Sequence, residues 1–577
     1  MKKLASIAFL LTASVAWGQR LTADQKAADF KYLASLYAAQ YAPYDWKKQL
    51  FGFDAFKTQP WLDRVAKTTT DLDFYDICVE FVASLKDTHA RFTLPSDFVA
   101  TLGFATDIYD GVALIEGLNR TQLPIRDFPF TTGDQLLSVD GKSVEQLLAE
   151  YSKYAWGGNP ISNKRNAAIY LTTRAQSVIP HAPSIGDTAV VEIKRQNGNV
   201  ETYTVPVVKS GTPLEVGPVP SPKTAATRKT ALARPAATGP EYMRALDEIS
   251  HSGLLNEPES ILNPPNGLLN LGSRNPVFLN SLVSSGFTRR LGGAAADFFY
   301  SGTFKRDELT IGYIRIPTYS PASQAAQLRI LETEIAFFTA NTDGLIVDQM
   351  RNTGGLLCFG EEVIRRLVPY PFTGTGFQVR ATWGRLLGFY SNMILAKSQG
   401  AATDVIERYE NIYKEISTAN AAGRLVTNTV PLCSSTQLRD PATDANGVNI
   451  AYRKPIMMLV DEFTLSAGDS AASMFQDARR GILFGQRTMG AGGNNTGFDT
   501  GAFTEGFTGM TVGLQVRQAP RGTPGYPYTA YSENVGIRPE VLDDYMTKDN
   551  LLQSGAPFVH DFLEAMYAYI KQTGSTN

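Results

Sequence analysis

From residue 309 onward, short apolar runs alternate with stretches of helical spacing, and that alternation restricts the fold more than any other feature of the chain. Residues 311–316, 344–348, 456–460 and 482–485 read as buried strands. Residues 322–340 and 357–367 read as helices between them, and small residues of helical character run from Ala467 towards Arg480. Strands and helices in turn build a layered α/β domain whose loops gather at the strand ends. This domain is drawn over residues 301–577, with residues 368–452 inside it read as a long irregular segment.

A chain of 577 residues is too long for a single core. Its net charge of −2 gives no reason to expect nucleic acid or an anionic membrane as partner. Lys2 and Lys3, an apolar stretch over 4–16 and the small residues Ala16 and Gly18 read as a secretory signal over residues 1–18. The stretch is too short to span a bilayer, so the protein is expected to be exported, to a periplasm or the outside. Residues 19–100 read as a helical N-terminal domain, with Phe74, Ile77, Cys78, Phe81 and Leu85 at spacings of three and four. Residues 101–208 change to short strands with turns at Asp140-Gly141 and Asn197-Gly198. Residues 209–300, rich in Pro, Ala, Thr and Gly, read as a low-complexity insertion with one short helix over 241–249.

With three cysteines, a disulfide framework is excluded, although one bridge is open to an exported chain. Neither a zinc-spaced Cys/His cluster nor any other cofactor signature is present, so no metal and no cofactor is expected. The chemistry centres instead on Ser466, at the first turn after the 456–460 strand. There a hydroxyl stands clear of the sheet and the N–H groups opening the helix can hold a negative oxygen. The plain alternative is an N-cap serine. Gly354 and Gly355 close the 344–348 strand in a corner where N–H groups approach a ligand without a Cβ in the way. With the N–H of Ala467 they are a candidate oxyanion hole. A serine nucleophile needs a base, and the four histidines are His89, His181, His251 and His560. His89 sits in a compact polar cluster after a helix, and Glu533 is a candidate acid to orient it.

The segments Asp348 to Gly355, Ser466 with its flanks, Gly485 to Gly490 and Glu533-Asn534-Val535-Gly536-Ile537-Arg538-Pro539 resemble, in that order, the C-terminal processing peptidases of the S41 type. Gly133-Asp134 to Gly141, and the hairpin after Gly186-Asp187, resemble a PDZ domain, a module that binds peptide as an added strand. The resemblance implies an α/β multidomain protein with a helical N-terminal domain, a PDZ-like module and a ClpP/crotonase-like protease domain. Where the tail-specific branch has a lysine base, this sequence has Ala491, which takes no proton. The resemblance is therefore to the branch of the tricorn protease core and the chlamydial protease-like activity factor. That branch implies Ser466 as nucleophile, His89 as base and Glu533 as its partner. Asp469 is then a helix-start carboxylate. The same branch carries an insertion like residues 209–300, which implies a processing or inhibitory segment. Substrates are expected to be proteins or peptides, and homodimerisation is left open. The competing reading is a catalytically silent peptide-binding protein that keeps the fold; an esterase lacks support, because no glycine precedes Ser466 by two.

Overall fold

A computed structural model describes residues 21–214, 240–254 and 257–574. The signal reading over 1–18 and the proline-rich run over 215–239 lie outside the described residues.

The α/β region is organised by a seven-stranded sheet. Five strands run parallel in the spatial order Leu309–Arg315, Gly344–Asp348, Ile456–Val460, Ile482–Gly485 and Val541–Leu542. Two antiparallel strands, Tyr300–Arg306 and Thr288–Leu291, extend one edge. Successive side chains of the central strands point to opposite faces, and both faces are covered. Ile456, Met458 and Val460 meet Leu331, Ile335, Val363, Ala471 and Phe475 on one side. Met457 and Leu459 meet Phe558, Phe562 and Met566 on the other. Two-sided burial is why these strands read as unbroken apolar runs.

The first residues of this sheet fall inside the stretch read as an insertion. Thr288–Leu291 is its edge strand, paired with Tyr300–Arg306. The helix expected over 241–249 is present as a single turn, Glu241–Met243, continued by Arg244–Ser250.

The segment read as irregular over 368–452 is not so. It holds a pair of packed helices, Trp383–Ser398 and Thr403–Ala421. Leu386, Phe389, Met393 and Ala396 face Tyr409, Ile412 and Ile416 in one apolar cluster. Gly384 and Gly388 break up a pattern that packing completes, because tertiary burial outweighs about 1 kcal/mol of helix propensity per glycine. Cys358 and Cys433 form a disulfide that ties this pair to the helix Leu357–Arg365, and Cys78 is free and buried. Its closed loop spans 75 residues. Cys358→Ser/Cys433→Ser is expected to lower unfolding stability by about 2–4 kcal/mol, read from urea denaturation with and without reductant.

At the other end, the helices Ala23–Gln40, Tyr44–Phe51, Gln59–Val65 and Asp71–Ala83 pack beside a sheet built from Phe104–Tyr109, Val112–Leu118, Gln135–Val139, Thr188–Lys194 and Val200–Pro206. A single apolar cluster runs through both and reaches Phe463 and Leu465, on the approach to Ser466. The strand Phe507–Arg521 completes the junction. It pairs with Phe92–Thr93 from the N-terminal part and with Gly376–Val379 and Gly493–Asp499 from the α/β part. No described helix is long and apolar enough to cross a membrane.

Candidate active site

Ser466 is held in a conformation that L-residues avoid, φ 63° and ψ −114°, between the strand Ile456–Val460 and the helix Ala467–Asp477. Such backbone costs on the order of 1–3 kcal/mol and persists only where its surroundings impose it. Here the Leu465 N–H donates to the Asn352 carbonyl at 3.0 Å, and Thr464 Oγ1 donates to the Gln349 carbonyl at 2.8 Å. Asp469 secures the other side. Its carboxylate accepts the N–H groups of Ser466, Gly490 and Ala491 at 2.8, 3.0 and 3.0 Å and the Thr488 hydroxyl at 2.5 Å. Burial still pushes this carboxyl up to about 6 against those donors. Ala491 therefore offers its N–H to Asp469, while its methyl lies in the apolar core.

His89 arrives from the segment after the helix Asp71–Ala83. Asp87 shapes that turn by accepting the His89 N–H at 2.8 Å, and it also takes the Tyr41 and Thr511 hydroxyls at 2.6 and 2.8 Å. The strand Phe507–Arg521 lies so close that a Cβ on Gly509 would stand 2.4 Å from the His89 carbonyl, so only glycine fits there. His89 Nε2 lies 2.8 Å from Ser466 Oγ, and both residues are buried. The other histidines lie elsewhere. His181 faces Asp73, His560 faces Glu564, and His251 belongs to a strand described below.

Glu533 is fully buried near this pair, but no hydrogen bond joins it to the imidazole among the described residues. Its carboxylate accepts Lys47 Nζ at 2.5 Å and the Gly492 N–H at 2.8 Å. Lys47 also donates to Asn534 Oδ1 at 2.5 Å and to the Lys86 carbonyl at 3.1 Å, so all three ammonium protons have acceptors. Burial and the neighbouring Asp87 push the Glu533 carboxyl up to about 8 against the pull of Lys47. Burial also pushes Asp87 up, but Lys47, His89 and the two hydroxyls outweigh it and hold Asp87 below the ordinary carboxylate value. One ammonium thus faces two carboxylates and favours ionising one of them.

At the glycine corner, the Gly354 N–H is taken by Asn352 Oδ1 at 2.8 Å, which removes it from the expected set of free donors. Tyr319 exchanges bonds with the Gly354 carbonyl and the Leu356 N–H at 2.7 and 2.9 Å. The N–H and carbonyl of Gly355 therefore point to the opposite edge. There His251–Gly253 pairs antiparallel with Gly354–Leu356, with Ser252 opposite Gly355.

Residues 310–526 match the family model of peptidase family S41, and residues 99–209 match a PDZ domain. The chain carries an S41 peptidase domain. It is a serine-type peptidase. A protein of Chlamydia pneumoniae is 24% identical over 620 residues, covering 100% of this chain and 95% of its own length. The chloroplastic C-terminal processing peptidase of Tetradesmus obliquus is 26% identical over 232 residues, 40% of this chain and 36% of that protein. Mature CPAF complexed with lactacystin shares the fold, with a TM-score of 0.70 at 19% identity, over 96% of this chain and 99% of that one.

Two groups around Ser466 and His89 escaped the sequence reading. Lys47 lies in the short helix Tyr44–Phe51, where a lysine pair reads as a solvated face; nothing local marks it as buried. Arg165, from the PDZ-domain helix Pro160–Ile169, reaches Asp107 at 2.6 Å and Glu462 at 2.5 Å and so braces the approach to Ser466. The strand Phe507–Arg521 did carry a signal, the alternation Met510, Val512, Leu514 and Val516.

Proposed function

We propose that the chain is an exported serine endopeptidase that cleaves peptide bonds through an acyl-enzyme, with Ser466 as nucleophile, His89 as general base and Glu533 as the carboxylate that stabilises the charged imidazole. The observation that carries this reading is the 2.8 Å approach of His89 Nε2 to Ser466 Oγ. In that geometry the imidazole takes the hydroxyl proton as Oγ attacks the substrate carbonyl. The N–H groups of Gly355 and Ala467 receive the developing oxyanion, at roughly 3–4 kcal/mol per donor. His89 then protonates the leaving amine, and water releases the acyl group. Ala491 rules out a lysine base only; His89 supplies what that position lacks.

The competing reading of a silent peptide binder loses its main argument once a base stands beside the serine. Export rests on the leader residues Lys2 to Gly18. The strand His251–Gly253 occupies the edge of Gly355 that a substrate carbonyl needs, which supports a processing or inhibitory role for residues 209–300. Limited proteolysis within 215–239 is expected to raise peptidase activity, and an intact chain already at full activity contradicts that role.

The pH dependence follows from Glu533. Its carboxyl, raised to about 8, is largely neutral at neutral pH and ionises on the alkaline side. Only the ionised form stabilises an imidazolium. kcat/KM is therefore expected to rise through an inflection near about 8, and Glu533→Gln is expected to abolish that inflection. A wild-type profile already flat at neutral pH argues against the assignment.

A further inference from the structure

Two residues beyond His89 begins a further buried ion pair that the proposed reaction does not use. Arg91, next but one to His89, is bridged by its Nη1 to the Glu257 carboxylate, and its Nη2 donates to the Tyr154 carbonyl and the Tyr170 hydroxyl. The side chains of Arg91 and Glu257 are 11% and 3% exposed. The guanidinium sits 5.8 Å from the centre of the Trp156 ring, and Trp156 packs edge-on against Phe463 in the approach to Ser466. Burial raises the Glu257 carboxyl, while Arg91 and the Trp156 indole N–H oppose the rise and favour the ionised form.

Glu257 belongs to the same stretch as the strand His251–Gly253 that lies on Gly354–Leu356. It comes five residues after Ser252, which faces Gly355. The stretch thus starts at the candidate oxyanion strand and ends in a pocket on the histidine side. Arg91 and Tyr154 also line a cleft of about 480 Å³ between the helix Asp71–Ala83 and residues 152–163. If Glu257 leaves, the guanidinium keeps only two neutral partners and a large unbalanced charge. A buried cation in that state takes up a carboxylate strongly.

We propose that Arg91, Tyr170 and Trp156 form a carboxylate-binding subsite on the leaving-group side of the cleaved bond. Glu257 fills it in the uncleaved chain, and substrates fill it with an acidic side chain or a terminal carboxylate. The proposal rests on the endopeptidase reading above and adds the class of substrate to it. Arg91 and Tyr170 act here as specificity residues and take no part in bond breaking.

The test uses the full chain carrying Glu257→Gln, which leaves the subsite unfilled, after limited proteolysis within 215–239, and a series of peptides in which one Glu walks through an otherwise neutral sequence. Each peptide is paired with its Gln counterpart and with a version amidated at the C-terminus. This chain is expected to cleave the best-placed Glu peptide at least about tenfold more efficiently in kcat/KM than its Gln partner. Adding Arg91→Met is expected to bring that ratio to about one, and adding Tyr170→Phe to reduce it. Loss of preference on amidation alone would assign the subsite to a chain terminus; its persistence assigns it to the side chain. A ratio near one in the Glu257→Gln chain, or a ratio that survives Arg91→Met, overturns the proposal while leaving Ser466-dependent cleavage intact.

Binding separates the two readings. The full chain carrying Ser466→Ala and Glu257→Gln, titrated with the fluorescent Glu and Gln peptides, is expected to bind the Glu form about tenfold tighter. Equal binding overturns the subsite whatever the catalytic outcome. Absence of any Ser466-dependent cleavage, together with Glu-selective binding, defeats the endopeptidase reading alone.

Discussion

Ser466→Ala is expected to lower kcat/KM for a cleaved peptide by about 10⁴-fold or more, with little change in thermal midpoint. The change removes one oxygen and leaves the corner held by Asp469, Asn352 and Gln349. His89→Ala is expected to cost a comparable factor. The double variant should be scarcely worse than either single one, because hydroxyl and imidazole act as one unit. Residual activity equal to wild type in Ser466→Ala would remove the nucleophile assignment. Independent, multiplying losses would remove the pairing of the two residues.

Lys47→Met is the second large effect, and it acts on stability. The ammonium is fully buried, with Glu533, Asn534 and the Lys86 carbonyl as its acceptors. Above a pH of about 8, where Glu533 is ionised, removing it leaves two charged carboxylates, Asp87 and Glu533, in a dry site. Breaking a buried pair from one side costs about 3–5 kcal/mol. Lys47→Met/Glu533→Gln is expected to recover a large part of that loss on the alkaline side, since the second charge goes with the first. Urea denaturation of the wild type, the two single variants and the double variant on the alkaline side of the Glu533 titration measures the coupling. Strict additivity would mean that the pair is not linked energetically. Activity should fall in Lys47→Met as well, because this lysine joins the N-terminal helices to the Glu533 turn through the carbonyl of Lys86, close to His89.

The α/β alternation was legible because two-sided burial writes itself into every residue of a strand. The corner at Ser466 was legible for the same reason: a buried strand ending in small polar residues leaves few choices. Its strained backbone was not, since nothing in Thr464-Leu465-Ser466 announces φ 63°. The helices Trp383–Ser398 and Thr403–Ala421 were hidden because their apolar faces have meaning only against each other. The strand Phe507–Arg521 carried a readable alternation, but its role depends on partners drawn from residues 92–93, 376–379 and 493–499.

By itself, the sequence determined which residue types were available: one serine at a strand-to-helix corner, four histidines and a glycine corner. These are local facts, set by periodicity and by the few residues that tolerate a tight turn. Only the tertiary structure decided that His89 meets Ser466, that Lys47 rather than the imidazole holds Glu533, that the Gly354 N–H is already taken, and that residues 251–253 lie along Gly355. Each is a contact between segments scores to hundreds of residues apart, or a hydrogen bond fixed by how a loop closes. Such contacts depend on how separate elements pack around a shared core, and no single segment of the chain carries that information.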